Sequence, residues 1–172
     1  KGTFPCLMSH HIHGARLKAH DSRCFSFKVR MGGLVMAAKK ISCTVPSERE
    51  AVVGMCRREF RALQKVQHVN IVTLYGVVVD DPKSVSLLME LAPLGSLRSL
   101  LNSSSGEVIG ALDTQRQLLS GIAAGMAFLH AQTPRPILHH DLKSDNVLIW
   151  PGDGGGFLPK LTDFGLDTGT GS

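Results

Sequence analysis

The chain has no long apolar run. None approaches the roughly 18 residues that a helix needs to cross a bilayer, so no membrane segment is expected. The opening stretch, KGTFPCLMSHHIHGARLKAH, lacks the apolar centre of a secretory signal. There is no CxxC pair either: Cys6, Cys24, Cys43 and Cys56 are scattered. That scatter argues against a disulfide framework and for reduced thiols in a cytoplasmic protein. No internal repeat is visible. The first residue is Lys rather than Met, so the chain is expected to be a piece of something longer.

The totals bound what is present. A length of 172 residues allows one ordinary domain or two small lobes. With 43% hydrophobic residues and a mean hydropathy of +0.08, a packed core is expected and wholesale disorder is not. The net charge of +5 fits an anionic ligand without specifying one. A nucleic-acid partner is not expected. The densest basic stretch, Arg57, Arg58, Arg61 and Lys65, has no interleaved aromatics and reads as a solvated helix face. His10, His11 and His13 have nothing nearby to complete a metal-coordination set.

Residues 1–20 show no clear period and read as a loose lead-in. CFSFKVRM (24–31) alternates as a strand does, Gly32-Gly33 makes a turn, and LVMAAKKI (34–41) is a second strand. A helix comes next, with Ser47 and Glu50 as its capping box. Val52, Cys56, Leu63 and Val66 fall on one face of it. Glu59 lies on that same stripe. A carboxylate there is costly unless a cation from another element meets it.

NIVTLYGVVVD (70–80) and VSLLMEL (85–91) are strand-like runs joined by the turn-rich DDPKS. APLGSLRSLL turns into a short helix, and NSSSGEVIG is a flexible linker. Asp113 is placed to cap a long helix on which Leu119, Ile122, Ala123, Met126 and His130 share a face. Gly121 and Gly125 each weaken that helix by about 1 kcal/mol relative to Ala, which suggests close helix packing there. ILHH, NVLIW and LPKLT are predicted short strands, the last two joined by PGDGGGF. The expected class is α+β with two lobes. Residues 21–91 form a small lobe with an antiparallel sheet and one helix, and 92–172 form a partial helical lobe.

Four features of this pattern carry chemistry. A strand offers Lys39 in MAAKKI, and the helix after it offers Glu59. One loop offers Asp141, Lys143 and Asn146 in HHDLKSDN, and another offers Asp163 in TDFG. Singly, each has a plain structural reading: an exposed strand lysine, an acid misregistered by one residue, a turn aspartate, a turn-capping asparagine. Jointly, and in this order, they resemble a eukaryotic protein kinase domain from about Phe25 to Gly165. DLKSDNVLIW and MELAPLGSL look most like the tyrosine-kinase-like group, especially its Roco (leucine-rich-repeat kinase) branch.

The resemblance implies a serine/threonine kinase that uses ATP and Mg²⁺ on a protein substrate. It implies that Lys39 holds the α- and β-phosphates and pairs with Glu59. It implies that Asn146 and Asp163 hold Mg²⁺, an ion that prefers oxygen ligands. Asp141 is then the group that orients the acceptor hydroxyl, and Lys143 faces the γ-phosphate. Met89 is implied as the gatekeeper behind the adenine, with the backbone of Glu90, Leu91 and Ala92 along the adenine edge.

Three departures qualify the match. Counting back from Lys39 puts the family's loop glycines at Lys18, His20 and Arg23 and its valine at Phe25, so no glycine remains there. Side chains at those positions would keep backbone amides from the phosphates, which predicts weak nucleotide binding. His140 stands where most regulated kinases have arginine, which weakens control through loop phosphorylation. The chain stops at GLDTGTGS just after D-F-G, so a C-terminally incomplete domain is expected. The other class compatible with these departures is a pseudokinase, a kinase-shaped interaction module.

Overall fold

The computed structural model describes residues 15–19, 24–31, 33–42, 50, 52–54, 60, 66–81, 84–103 and 109–164. The chain divides into two compact units: Lys1–Lys65 with Thr73–Leu91, and Val66–Val72 with Ala92–Ser172.

The first unit is built on a five-stranded antiparallel sheet. Its strands are β1 (Ala15–Ala19), β2 (Cys24–Met31), β3 (Leu34–Ser42), β4 (Leu74–Asp81) and β5 (Ser84–Glu90). They lie in the order β1-β2-β3-β5-β4. β1 falls inside the stretch read as a loose lead-in. It pairs with β2 from Ala15↔Lys28 to Ala19↔Phe25, but the register shifts between Arg16 and Lys18. A bulge of that kind breaks the two-residue period, and with it the sequence signal.

β2 and β3 close through a two-residue connection, since Met31 pairs with Leu34. Gly33 at φ 83° supplies the left-handed backbone that such a tight hairpin requires. The register then sorts side chains by face, because opposed residues project to the same side. Val29, Met36, Ala38, Val78 and Leu88 form one apolar cluster, with Phe27 packed against it. β5, flanked on both edges, is buried from Ser84 to Met89.

The helix expected after β3 is described only at Glu50, Val52–Gly54 and Phe60, all helical, with Phe60 buried. Ser47, Cys56, Glu59 and Leu63 lie outside the described residues.

Val66–Val72, read as part of the small lobe, packs instead within the second unit. The run expected to be strand from Asn70 enters the sheet only at Leu74. Ile71 and Val72 are buried, and they dock on the strand that ends the second unit. Val72 N–H donates to Leu161 O at 2.9 Å, and Leu161 N–H donates to Asn70 O at 2.9 Å. Asn70 Nδ2 adds a buried bond to Pro159 O at 2.8 Å.

In the second unit, α1 (Leu97–Leu101) starts from Ser96, whose Oγ accepts the Ser99 N–H. Gly95 precedes it at φ 74°. The long helix α2 (Leu112–His130) is capped at Ala111, with Asp113 in its first turn rather than at the cap. β6 (Val147–Pro151) and β7 (Phe157–Leu161) make an antiparallel hairpin. ILHH is not a strand. Ile137 N–H donates to Leu129 O, and His140 at φ 61° turns the chain out of the extended region.

The buried residues of α2 are Leu118, Gly125 and Leu129, not the predicted stripe. Leu119 is 65% exposed, and Ala123 and His130 are exposed as well. The apolar residues permit either face, and the glycines decide. A methyl group on Gly125 would stand 2.9 Å from Asn70 O and 3.0 Å from Leu161 Cδ1. One on Gly121 would stand 2.6 Å from Pro159 Cγ and 2.8 Å from Asn70 Nδ2. The helix backbone therefore lies directly on Asn70 and β7.

This close approach gives Gly125→Ala a definite sign. Helix propensity alone favours alanine by about 1 kcal/mol. Overpacking against a backbone carbonyl costs about 1–3 kcal/mol and outweighs it. The urea midpoint should fall, while Ala124→Gly on the exposed side should cost no more than the propensity difference. A Gly125→Ala variant more stable than the parent would contradict the close approach.

Candidate active site

The loop from His139 to Asn146 is drawn together by short-range bonds. Asp141 N–H donates to His139 O at 2.8 Å, which makes a tight turn and leaves the Asp141 side chain 58% exposed. Asp141 Oδ2 accepts from Lys143 Nζ at 2.6 Å and from Asn146 Nδ2 at 3.0 Å. The same amide nitrogen donates to Asp141 O at 2.9 Å. Asn146 sits at the end of a 3-10 turn (Ser144–Asn146) and is buried, 3% exposed. Its backbone carbonyl accepts the Thr162 N–H at 3.0 Å. Asn146 thus ties the turn carrying Asp141 to the segment one residue before Asp163.

These contacts set the charge. The hydrogen bond from Lys143 is the main cause that holds the Asp141 carboxyl below its usual value, with the Asn146 amide adding to it against a smaller effect of burial. Asp141 is therefore an anion through the neutral range. Arg98 Nε reaches Asp145 Oδ2 at 3.3 Å and links α1 to the same turn.

Asp163 lies just past β7 at φ 60°, a left-handed backbone that aspartate tolerates better than most residues. Phe164 beyond it is buried. Its ring lies 6.1 Å from that of His139, tilted by 59°. Sequence reasoning singled out His140 and passed over His139.

His139 is 3% exposed, and neither ring nitrogen has a hydrogen-bond partner among the described residues. Burial pushes its pKa below the usual histidine value, while the His139 and Thr162 backbone and the carboxylates of Asp141 and Asp163 oppose that shift. In the window between the depressed value and about 6.5, the unfolded chain binds more protons than the folded one. This contribution to stability is therefore present above about 6.5 and is lost as the pH falls below it. His139→Phe should flatten the decline in melting temperature between about pH 7 and about pH 5. An unchanged slope would show that the imidazole is not held neutral.

In the first unit, Lys39 is 6% exposed in β3, between Ser26 of β2 and Leu87 of β5. An ammonium so placed needs anionic company. Glu59, its expected partner, lies outside the described residues, and so does their pairing. Met89 is buried opposite Ala37. Glu90 N–H donates to Thr73 O at 3.1 Å, and Glu90 Oε1 accepts the Thr73 N–H at 2.8 Å. Leu91 and Ala92 come next, both half-buried, with Ala92 O accepting the Gly95 N–H at 3.4 Å.

The sequence matches the protein kinase domain family over residues 20–171. The chain belongs to that family. It is 32% identical over 143 residues to the probable serine/threonine-protein kinase roco6 of Dictyostelium discoideum, covering 83% of this chain and 6% of that protein. It is 32% identical over 153 residues to receptor-like protein kinase 7 of Arabidopsis thaliana, covering 81% of this chain and 15% of that protein. It is 33% identical over 147 residues to the Arabidopsis serine/threonine-protein kinase PBS1, covering 84% and 30%. The chain thus spans less than a third of each of these relatives. The matches agree with a tyrosine-kinase-like domain and include a Roco kinase.

Within this kinase domain the hairpin register corrects one assignment. Phe25, counted into the place of the family's valine, pairs with Lys40 and so faces away from Lys39. The residues that share the Lys39 face include Ser26, opposite Lys39 itself, and Lys28, opposite Ala37. Counting along the chain fails because the face of a strand residue depends on the length of the turn, which is two residues here. His20 and Arg23 lie outside the described residues; Lys18 lies in β1.

Among the described residues no helix is long and apolar enough to cross a membrane. The same residues contain no group of three or more His, Cys, Asp or Glu that could hold a metal. Asn146 and Asp163 would offer a magnesium ion the oxygen ligands it prefers. With the Asn146 nitrogen committed to Asp141, its amide oxygen is the atom left to ligate, and Asp163 adds a carboxylate.

Proposed function

We propose that this chain supplies the catalytic residues of an ATP- and Mg²⁺-dependent protein kinase that phosphorylates serine and threonine hydroxyls. The observation that carries the reading is the Asp141–Lys143–Asn146 cluster, an exposed anion held by a cation and by a buried amide. Phosphoryl transfer needs little covalent chemistry from the protein. It needs positioned groups and neutralised charge. Asp141 orients the acceptor hydroxyl and takes its proton. Lys143 stands beside it as a point charge for the γ-phosphate, which suits a serine/threonine enzyme. Lys39 holds the α- and β-phosphates and pairs with Glu59. Met89 closes the back of the adenine pocket, and the backbone of Glu90 to Ala92 meets the adenine edge. Asn146 and Asp163 would hold Mg²⁺, whose charge would offset that of the phosphates. The scattered cysteines support a cytoplasmic setting for this work.

One observation favours a second reading. Residues 15–31 contain no glycine, although this hairpin is where the family presents backbone amides to phosphate. A kinase-shaped interaction module has no use for that loop. Nucleotide binding separates the two. Thermal shift with ATP should show weak stabilisation that requires Mg²⁺ and disappears in Asp163→Asn. Stabilisation by ATP that is as strong without the metal would contradict the roles given to Asn146 and Asp163. No stabilisation under any condition would favour the module.

A further inference from the structure

The sheet face that carries Lys39 is more basic than the family motif alone requires. Ser26 lies opposite Lys39, Lys28 opposite Ala37, and Arg30 opposite Val35. Opposed residues project to one side, so all three β2 side chains share the Lys39 face. Burial agrees with the register. Lys28 and Arg30 are exposed, whereas Phe27 and Val29 between and beside them pack into the apolar cluster on the other side. Lys28 and Lys39 are diagonal neighbours, with backbones about 7–8 Å apart and long stems that can converge. Among the described residues no carboxylate pairs with Lys28 or Arg30.

Cations grouped on one face repel one another, and a multiply charged anion relieves that repulsion. A polyphosphate is such an anion, and the neighbouring loop lacks the glycines that would let backbone amides approach it. We infer that Lys28 is a second phosphate-binding residue, gripping the same nucleoside triphosphate chain as Lys39. Side-chain charge from β2 does here what backbone amides do in the family's glycine loop. The inference rests on the reading of Lys39 as the nucleotide lysine.

The test is calorimetric titration of the folded chain with Mg-ATP, inorganic tripolyphosphate and adenosine, comparing the parent with Lys28→Gln, Lys28→Arg and Lys39→Gln. Lys28→Gln should weaken ATP and tripolyphosphate roughly tenfold, the scale of one hydrogen bond to a charged group. Adenosine should bind as before, Lys28→Arg should retain most of the affinity, and added salt should narrow the difference. If Lys28→Gln binds ATP like the parent while Lys39→Gln does not, the Lys28 role is overturned and the Lys39 reading stands. Equal weakening of adenosine and ATP also overturns a phosphate role. No binding by the parent, or indifference of both lysine variants, overturns the inference together with the reading beneath it.

Discussion

Asp141→Asn should lower the rate of phosphate transfer by a factor on the order of 10²–10⁴, the range for loss of a positioned general base. The amide keeps the shape of the carboxylate but can neither carry its charge nor take a proton. Lys143, now 2.6 Å from that oxygen, loses an anionic partner. The side chain is 58% exposed, so the fold should be indifferent and the melting temperature nearly unchanged. KM for ATP should move little, because the role proposed for Asp141 is on the acceptor. The lowered pKa of Asp141 should place the acid limb of kcat below the ordinary carboxylate range. Lys143→Met should raise that limb, since the hydrogen bond from Lys143 is the main cause of the lowering. Full activity in Asp141→Asn would remove the assignment.

Asn146→Ala should be nearly as damaging, but differently. The substitution deletes both bonds to Asp141 and the amide oxygen assigned to Mg²⁺. Supporting residues at metal sites commonly change metal affinity by about 10–100-fold, and a ligand should cost at least that. The Mg²⁺ concentration for half-maximal rate should rise accordingly, a change that Asp141→Asn should not produce. Because Asn146 is buried, stability should also drop, by about 1–3 kcal/mol. The bond from Thr162 N–H uses the Asn146 backbone and should survive. Steady-state rates over a Mg²⁺ titration, with a urea midpoint for each variant, separate the two effects. An unchanged Mg²⁺ requirement would leave Asn146 as a purely structural residue.

Local features of the chain were legible, and features that depend on distant packing were not. β2 and β3 show in the sequence because the first alternates over eight residues and a Gly-Gly turn leads straight into the apolar start of the second. Asp141, Lys143 and Asn146 lie within six residues of one another, and the structure joins them by hydrogen bonds. The buried face of α2 was misread because Leu119, Ile122 and Met126 make as good a stripe as Leu118 and Leu129. The choice fell to Gly121 and Gly125 against Asn70, far away along the chain. The same contact draws Val66–Val72 into the second unit. Phe25 was misplaced for a related reason, since one residue of register moves a side chain to the other face. His139 escaped notice because its burial depends on Phe164, which belongs to a later segment.

The central claim is tested most directly by transfer of labelled phosphate from ATP to a basic protein acceptor in the presence of Mg²⁺, with the phosphorylated residue then identified. The account predicts label on serine and threonine rather than tyrosine, lost when Mg²⁺ is removed and lost in Asp141→Asn. Folded protein that transfers no phosphate, or transfer that survives Asp141→Asn, would contradict it.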